Sequence, residues 1–134
     1  LPSDHVGAEE IDEDADASVA DDAIPDEMMG LDVGPNTVET YREIISDAET
    51  IVWNGPMGVF EIDQFAEGTM KIAETVADAT DDGAFSVVGG GDSVSALGRS
   101  GFTDRISHVS TGGGAMLTFI EGAPLPGIEA LSEA

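Results

Sequence analysis

Three times in this chain a short apolar run ends in a glycine-bearing turn, and a helical pattern follows it. Thr50-Ile-Val-Trp53 runs into Asn54-Gly-Pro-Met-Gly58, Ala84-Phe-Ser-Val-Val88 into Gly89-Gly-Gly-Asp-Ser93, and Ile106-Ser-His-Val-Ser110 into Thr111-Gly-Gly-Gly114. Runs of that length and β-branched content read as strands. After the first turn Phe65, Thr69, Ile72, Ala73, Val76 and Ala77 fall on one helical face. The second turn opens a short helix from Asp92 or Ser93 to about Arg99, with Gly101 as its stop, and Ala115 to Ile120 reads as the third. Strands that alternate with helices imply right-handed crossovers and a parallel sheet, so the fold class is α/β. In a parallel sheet every strand points the same way, which puts all three turns on the edge where open α/β sheets bind ligands.

Two further segments precede this unit. Asn36, with Glu39 three residues on, resembles a capping box, and Val38, Tyr41, Ile44, Ile45 and Ala48 then recur at helical spacing. Residues 1–30 carry eleven acids and no Lys or Arg. The charge run from Glu9 to Asp16 reads as a solvated loop between short strands at His5 to Ala8 and Ser18 to Ala20. Asp12, Asp14 and Asp16 have the opening spacing of a calcium loop, but Ala17 and Ala23 stand where that loop needs Gly and Glu.

Charge narrows the function classes. With 28 acids, four bases and a formal charge of −24, the chain lacks the Lys and Arg that phosphate-neutralising nucleic-acid binders and anionic membrane surfaces require. The longest uncharged stretch, Ile106 to Ile120, is too short and too polar for a membrane span. Cys is absent, which removes thiol chemistry and disulfides. A 41% hydrophobic share supports a core, so the acids are not those of a disordered tail. Such a surface repels itself unless salt screens it, and the expectation is a cytoplasmic protein from a salt-accumulating halophile, a haloarchaeon by preference.

With so few basic side chains, backbone amides become the main phosphate ligands. Glycine lets the backbone come close, and a helix N-terminus adds free amides and partial positive charge. None of the turns matches a nucleotide fingerprint by itself. Two glycine triplets and Asn-Gly-Pro-x-Gly on one edge together favour a phosphate-rich ligand. Asp92 is either a helix N-cap or a magnesium ligand beside nucleotide phosphates. Glu61 is a surface acid or an acceptor from ribose hydroxyls. Trp53 and His108, within strand runs, are expected to be core or supporting residues.

Val52-Trp-Asn-Gly-Pro-Met-Gly-Val-Phe-Glu61, Val88-Gly-Gly-Gly-Asp-Ser93 and Ser107-His-Val-Ser-Thr-Gly-Gly-Gly-Ala115 resemble three signature segments of phosphoglycerate kinases, in order. Ile24-Pro-Asp, Met29-Gly-Leu-Asp-Val-Gly-Pro35 and Leu125-Pro-Gly-Ile-Glu-Ala-Leu131 resemble the same family. The resemblance implies a parallel-sheet, Rossmann-like three-layer sandwich, of which residues 1–134 would be the second half of the C-terminal nucleotide-binding domain. It implies reversible phosphoryl transfer between 1,3-bisphosphoglycerate and Mg2+-bound ADP, giving 3-phosphoglycerate and ATP. By the same resemblance Asn54, Pro56, Gly58 and Val59 form the adenine and ribose wall, and Glu61 accepts from the ribose hydroxyls. Gly90, Gly91, Asp92 and Ser93 take the nucleotide phosphates, with Asp92 at the metal position, and Gly112, Gly113 and Gly114 face the transferring phosphoryl group.

The family's basic N-terminal domain, which holds 3-phosphoglycerate, and its glycine- and lysine-bearing phosphate segment have no counterpart in these residues. The chain is therefore expected to be a fragment, cut at Leu1 and ending naturally at Ala134, inactive alone and part of a monomeric enzyme. The alternative is a stand-alone acidic module that binds a nucleotide without chemistry.

Overall fold

The computed structural model describes residues 1–131 and contains two sheets. The expectation attached to Ala134 lies outside those residues. An antiparallel sheet is made of β1 (Asp4–Ala8), β2 (Ser18–Asp21) and β3 (Met29–Val33), in the order β2-β1-β3. A parallel sheet is made of β4 (Thr50–Asn54), β5 (Phe85–Gly89) and β6 (His108–Ser110), in the order β4-β5-β6. The helices are α1 (Pro35–Ser46), α2 (Glu67–Asp81), α3 (Gly91–Ser100), α4 (Gly113–Ile120) and α5 (Pro126–Glu129).

One face of the parallel sheet carries the core. Ile51, Trp53 and Val88 point into it, against Ile72, Ala73, Val76 and Ala77 of α2 and Leu97 of α3, with Tyr41 and Ile45 of α1 at its margin. The apolar positions expected on α2 are buried, and Gly101 ends α3 with φ +80°, the left-handed geometry of a glycine stop. The opposite face is covered by α4 alone among the described helices, through Met116 over Gly89. Val52 and Phe85 remain about half exposed there, so the third layer is thin in these residues.

Several local expectations change. Phe65 belongs not to α2 but to a separate 3-10 turn, Asp63–Phe65, where it is fully buried against Ala8 and Leu31. Ile44 is exposed, because α1 buries a narrower stripe than its apolar residues suggest. His108 is also exposed rather than core, since it lies with Val52 and Phe85 on the thinly covered face of the parallel sheet. Strand β3 has no clear signal in the sequence, because an acid, Asp32, occupies one of its buried positions.

The capping box does not form. Pro35 takes the first position of α1 and Gly34 the cap, so Asn36 lies inside the helix. The free amides there are bonded instead by Asp4 of β1, whose Oδ2 accepts from the Asn36 N–H at 2.9 Å and Oδ1 from the Thr37 N–H at 2.8 Å. Thr37 Oγ1 donates to the same Oδ1 at 2.6 Å. Gly34 is required because a Cβ there would overlap the Asp4 carboxyl. Burial pushes the Asp4 carboxyl up, but the Thr37 hydroxyl, the Asn36 and Thr37 amides and nearby His5 outweigh it and hold the group below its ordinary value.

A carboxylate depressed in the fold contributes stability above its unfolded pKa and loses it as pH falls through the folded one. Asp4→Asn is expected to destabilise the protein by about 2 kcal/mol at neutral pH, through lost caps and a mispaired donor. In denaturant melts, the gap between Asp4→Asn and wild type should narrow as pH drops below about 4.

Candidate functional site

The parallel register sets the strand ends level. Asn54 pairs with Gly89 and Gly89 with Ser110, so the last residues of β4, β5 and β6 are neighbours. The three glycine turns therefore leave one edge side by side and touch. A Cβ on Gly90 would sit 2.8 Å from Asn54 Oδ1, and one on Gly113 would sit 2.7 Å from the Gly90 backbone and 3.1 Å from Asn54 Oδ1. The Gly90 N–H donates to the Ser110 carbonyl at 3.0 Å. The Gly55 N–H donates to Ser93 Oγ at 2.6 Å, and Trp53 Nε1–H to the Gly55 carbonyl at 2.6 Å.

Above this junction the backbone is open. Nothing would meet a Cβ within 4 Å at Gly91 or Gly114. The first-turn amides of α3 (Gly91, Asp92, Ser93) and of α4 (Gly113, Gly114, Ala115) have no partners within their own helices and face the same edge. Cationic side chains do not compete for that role. Arg42 pairs with Glu39, Lys71 with Glu67, Arg99 with Asp63, and Arg105 with Asp78 and Asp81, which engages all four bases of the chain. An anion at this edge meets backbone dipoles.

The expected site residues divide into two groups. Asn54, Gly90, Ser93 and Gly113 form the junction, with Gly91, exposed Asp92 and Gly114 at its open side. Ser93 is buried, and its oxygen is committed to the first turn, so it braces the edge. The Gly112 N–H is turned back to Ser110 Oγ at 3.2 Å. The other group lies farther along the first turn. The Met57 and Gly58 amides donate to Thr69 Oγ1 at 3.0 and 3.3 Å, and the Val59 N–H donates to the Leu31 carbonyl at 2.8 Å. Val59 packs on the Ala8–Leu31–Phe65 cluster, Pro56 is half-buried, and Glu61 is exposed.

Sequence reasoning missed Thr69, Ser110 and Arg99 as organisers of these turns. Arg99 Nη1 donates to the Phe60 carbonyl, tying α3 to the first turn, and its rarity as a base was the one available signal. Asp92 stands without a cluster: among the described residues no three His or acidic side chains gather to hold a metal. A single exposed carboxylate beside free helix amides fits a divalent ion shared with a phosphate ligand, and not a cage built wholly of protein.

A parallel α/β sheet with three glycine turns on one edge defines the class: an open-sheet fold with two helix N-termini at the carboxyl ends of its strands. A profile of the phosphoglycerate kinase family matches residues 1–123. The chain is 71% identical over its whole length to the phosphoglycerate kinase of Salinibacter ruber, and 57% identical over 99% of it to that of Chlorobaculum tepidum. It superposes on phosphoglycerate kinase from Coxiella burnetii with a TM-score of 0.86 at 50% identity, over 96% of this chain and 33% of that one. For the Pyrococcus horikoshii OT3 enzyme the TM-score is 0.79 at 41% identity, over 97% and 31%. The chain belongs to the phosphoglycerate kinase family. It spans about a third of the length of the curated relatives it matches, 34% for both bacteria. Those relatives are bacterial, so they lend no support to a haloarchaeal source.

Close contact at the junction makes its glycines unequal. Gly113→Ala and Gly90→Ala, the latter also at φ +95°, are expected to destabilise the protein by about 2 kcal/mol or more. Gly114→Ala, facing open space, should change the melting midpoint little. Thermal unfolding of the three variants side by side checks this order.

Proposed function

We propose that this chain forms the nucleotide side of an enzyme that moves a phosphoryl group between 1,3-bisphosphoglycerate and ADP, giving 3-phosphoglycerate and ATP. The observation that carries the reading is the contact of Asn54, Gly90 and Gly113, which draws three turns and two helix N-termini onto one anion-receptive edge. Phosphoryl transfer depends mainly on positioning and charge stabilisation, and preorganised amides provide both without a proton donor.

In this reading Asn54, Pro56, Gly58 and Val59 wall the adenine and ribose, and Glu61 accepts from the ribose hydroxyls. Gly90, Gly91 and Asp92 receive the nucleotide phosphates, and Ser93 holds that turn against Gly55. The amides at Gly113 and Gly114 face the phosphoryl group in transit, and Gly112 joins them once its N–H leaves Ser110. Asp92 would hold Mg2+, which supplies charge neutralisation between phosphate oxygens. The acyl-phosphate partner binds on a basic N-terminal domain outside these residues. In the same reading the enzyme is a cytoplasmic monomer of glycolysis that binds neither nucleic acid nor membrane, which the shortage of Lys and Arg supports.

The test joins these 134 residues to the remaining two thirds of the Salinibacter ruber relative. The chimaera should phosphorylate ADP from 1,3-bisphosphoglycerate, and the 134 residues alone should not. Asp92→Ala is expected to lower kcat at least about 100-fold, since a mispositioned metal removes several kcal/mol of charge stabilisation. Nucleotide binding by the 134 residues without turnover in the chimaera would favour a binding module instead.

The −24 charge also supports a protein adapted to high salt. Its melting midpoint should rise steadily from about 0.1 M to about 1 M KCl as the Debye length falls from about 10 to about 3 Å. A flat response would mark the acid excess as incidental.

A further inference from the structure

Asp32 is a buried carboxylate that the phosphoryl-transfer reading leaves without a task. It sits on β3, beside Gly58 at the far end of the first glycine turn. Its Oδ2 accepts from the Gly68 N–H at 2.7 Å and its Oδ1 from the Val33 N–H at 2.9 Å. Gly68 is in the first turn of α2, so the carboxylate holds the start of that helix. The next residue is Thr69, whose Oγ1 accepts the Met57 and Gly58 amides. The same carboxylate also touches the loop from below: a Cβ on Gly58 or on Gly68 would lie 2.5 Å from Asp32 Oδ1. Beside it the Leu31 carbonyl accepts from Val59.

We propose that Asp32 is a positioning residue for nucleotide binding, clamping residues 57–59 into place through the start of α2. The inference rests on the assignment of that loop to the adenine and ribose. Both carboxylate oxygens must accept for the clamp to close. A protonated acid or an amide turns one of them into a donor and loses an amide.

The carboxylate is therefore the natural sensor of its own clamp. Burial raises its pKa to about 6 despite the Gly68 and Val33 amides, with Glu67 pushing the same way. Lys71 is the other charged group from α2 at the adjoining cavity, and it is paired with Glu67 at 2.6 Å. The walls from β1, β2, α1 and the 3-10 turn are Val6, Val19, Pro35, Val38 and Gln64, none of them ionisable. A raised carboxyl pKa means that the folded protein takes up the proton more readily than the unfolded chain as pH falls. The clamp is then intact near neutrality and loosens below about pH 6.

The experiment uses the chimaera with Asp32→Asn and, should that variant fail to fold, Thr69→Val and the wild-type pH profile. Hydrogen exchange at residues 55–60 is read alongside the KM for ADP and kcat. Expected are faster exchange confined to that loop and a KM raised about fivefold with kcat within about twofold, the scale of one lost hydrogen bond. The wild-type KM should rise as pH falls from about 7 to about 5, while Asp32→Asn stays level. Unchanged exchange and KM in both variants, or identical pH profiles, would overturn the proposal. Faster exchange with an unaltered KM would keep the clamp and overturn the assignment of the loop to the nucleotide.

Discussion

Asn54, Gly89 and Ser110 end their strands in parallel register, and the whole edge depends on that alignment. Because the three strands end in register, each following turn begins at the same level. Had one strand slipped by a residue, its inward side chains would have exchanged faces as well. The burial of Ile51, Trp53 and Val88 against α2 and α3 prevents this. Core packing on one face thus decides where backbone amides gather on the edge.

The same economy governs charge. Each of the four bases is tied to an acid: two to neighbours on their own helix, two across the fold. Exposed pairs of this kind contribute little to stability. Arg99 and Arg105 matter more for what they connect, α3 to the first turn and the segment before β6 to α2. What is left for an anion is the polarity of the backbone, which carries no net charge and does not add to the acid excess.

Two buried acids organise the junction between the sheets. Asp4 ties β1 to α1, and Asp32 ties β3 to α2. Both work as helix caps supplied from a strand distant in sequence. This arrangement explains why short strands with few large side chains hold their positions, and why Gly34, Gly58 and Gly68 stand beside the carboxylates.

The alternation of apolar runs, glycine turns and helical faces was legible in the residues, because its periodicity is local and each element declares itself within a dozen positions. It determined the α/β class, the common edge and the glycine stop at Gly101. Contacts between distant residues were decided in three dimensions. Asn36 reads as a cap until Asp4 arrives from 32 residues away to perform that role. Strand β3 is invisible beside its buried acid, His108 is exposed because it lies on the thinly covered face of the sheet, and Ser93 braces Gly55 across 38 residues. A hydrogen bond between remote segments leaves no period in the chain, so only folding reveals which polar group finds which partner.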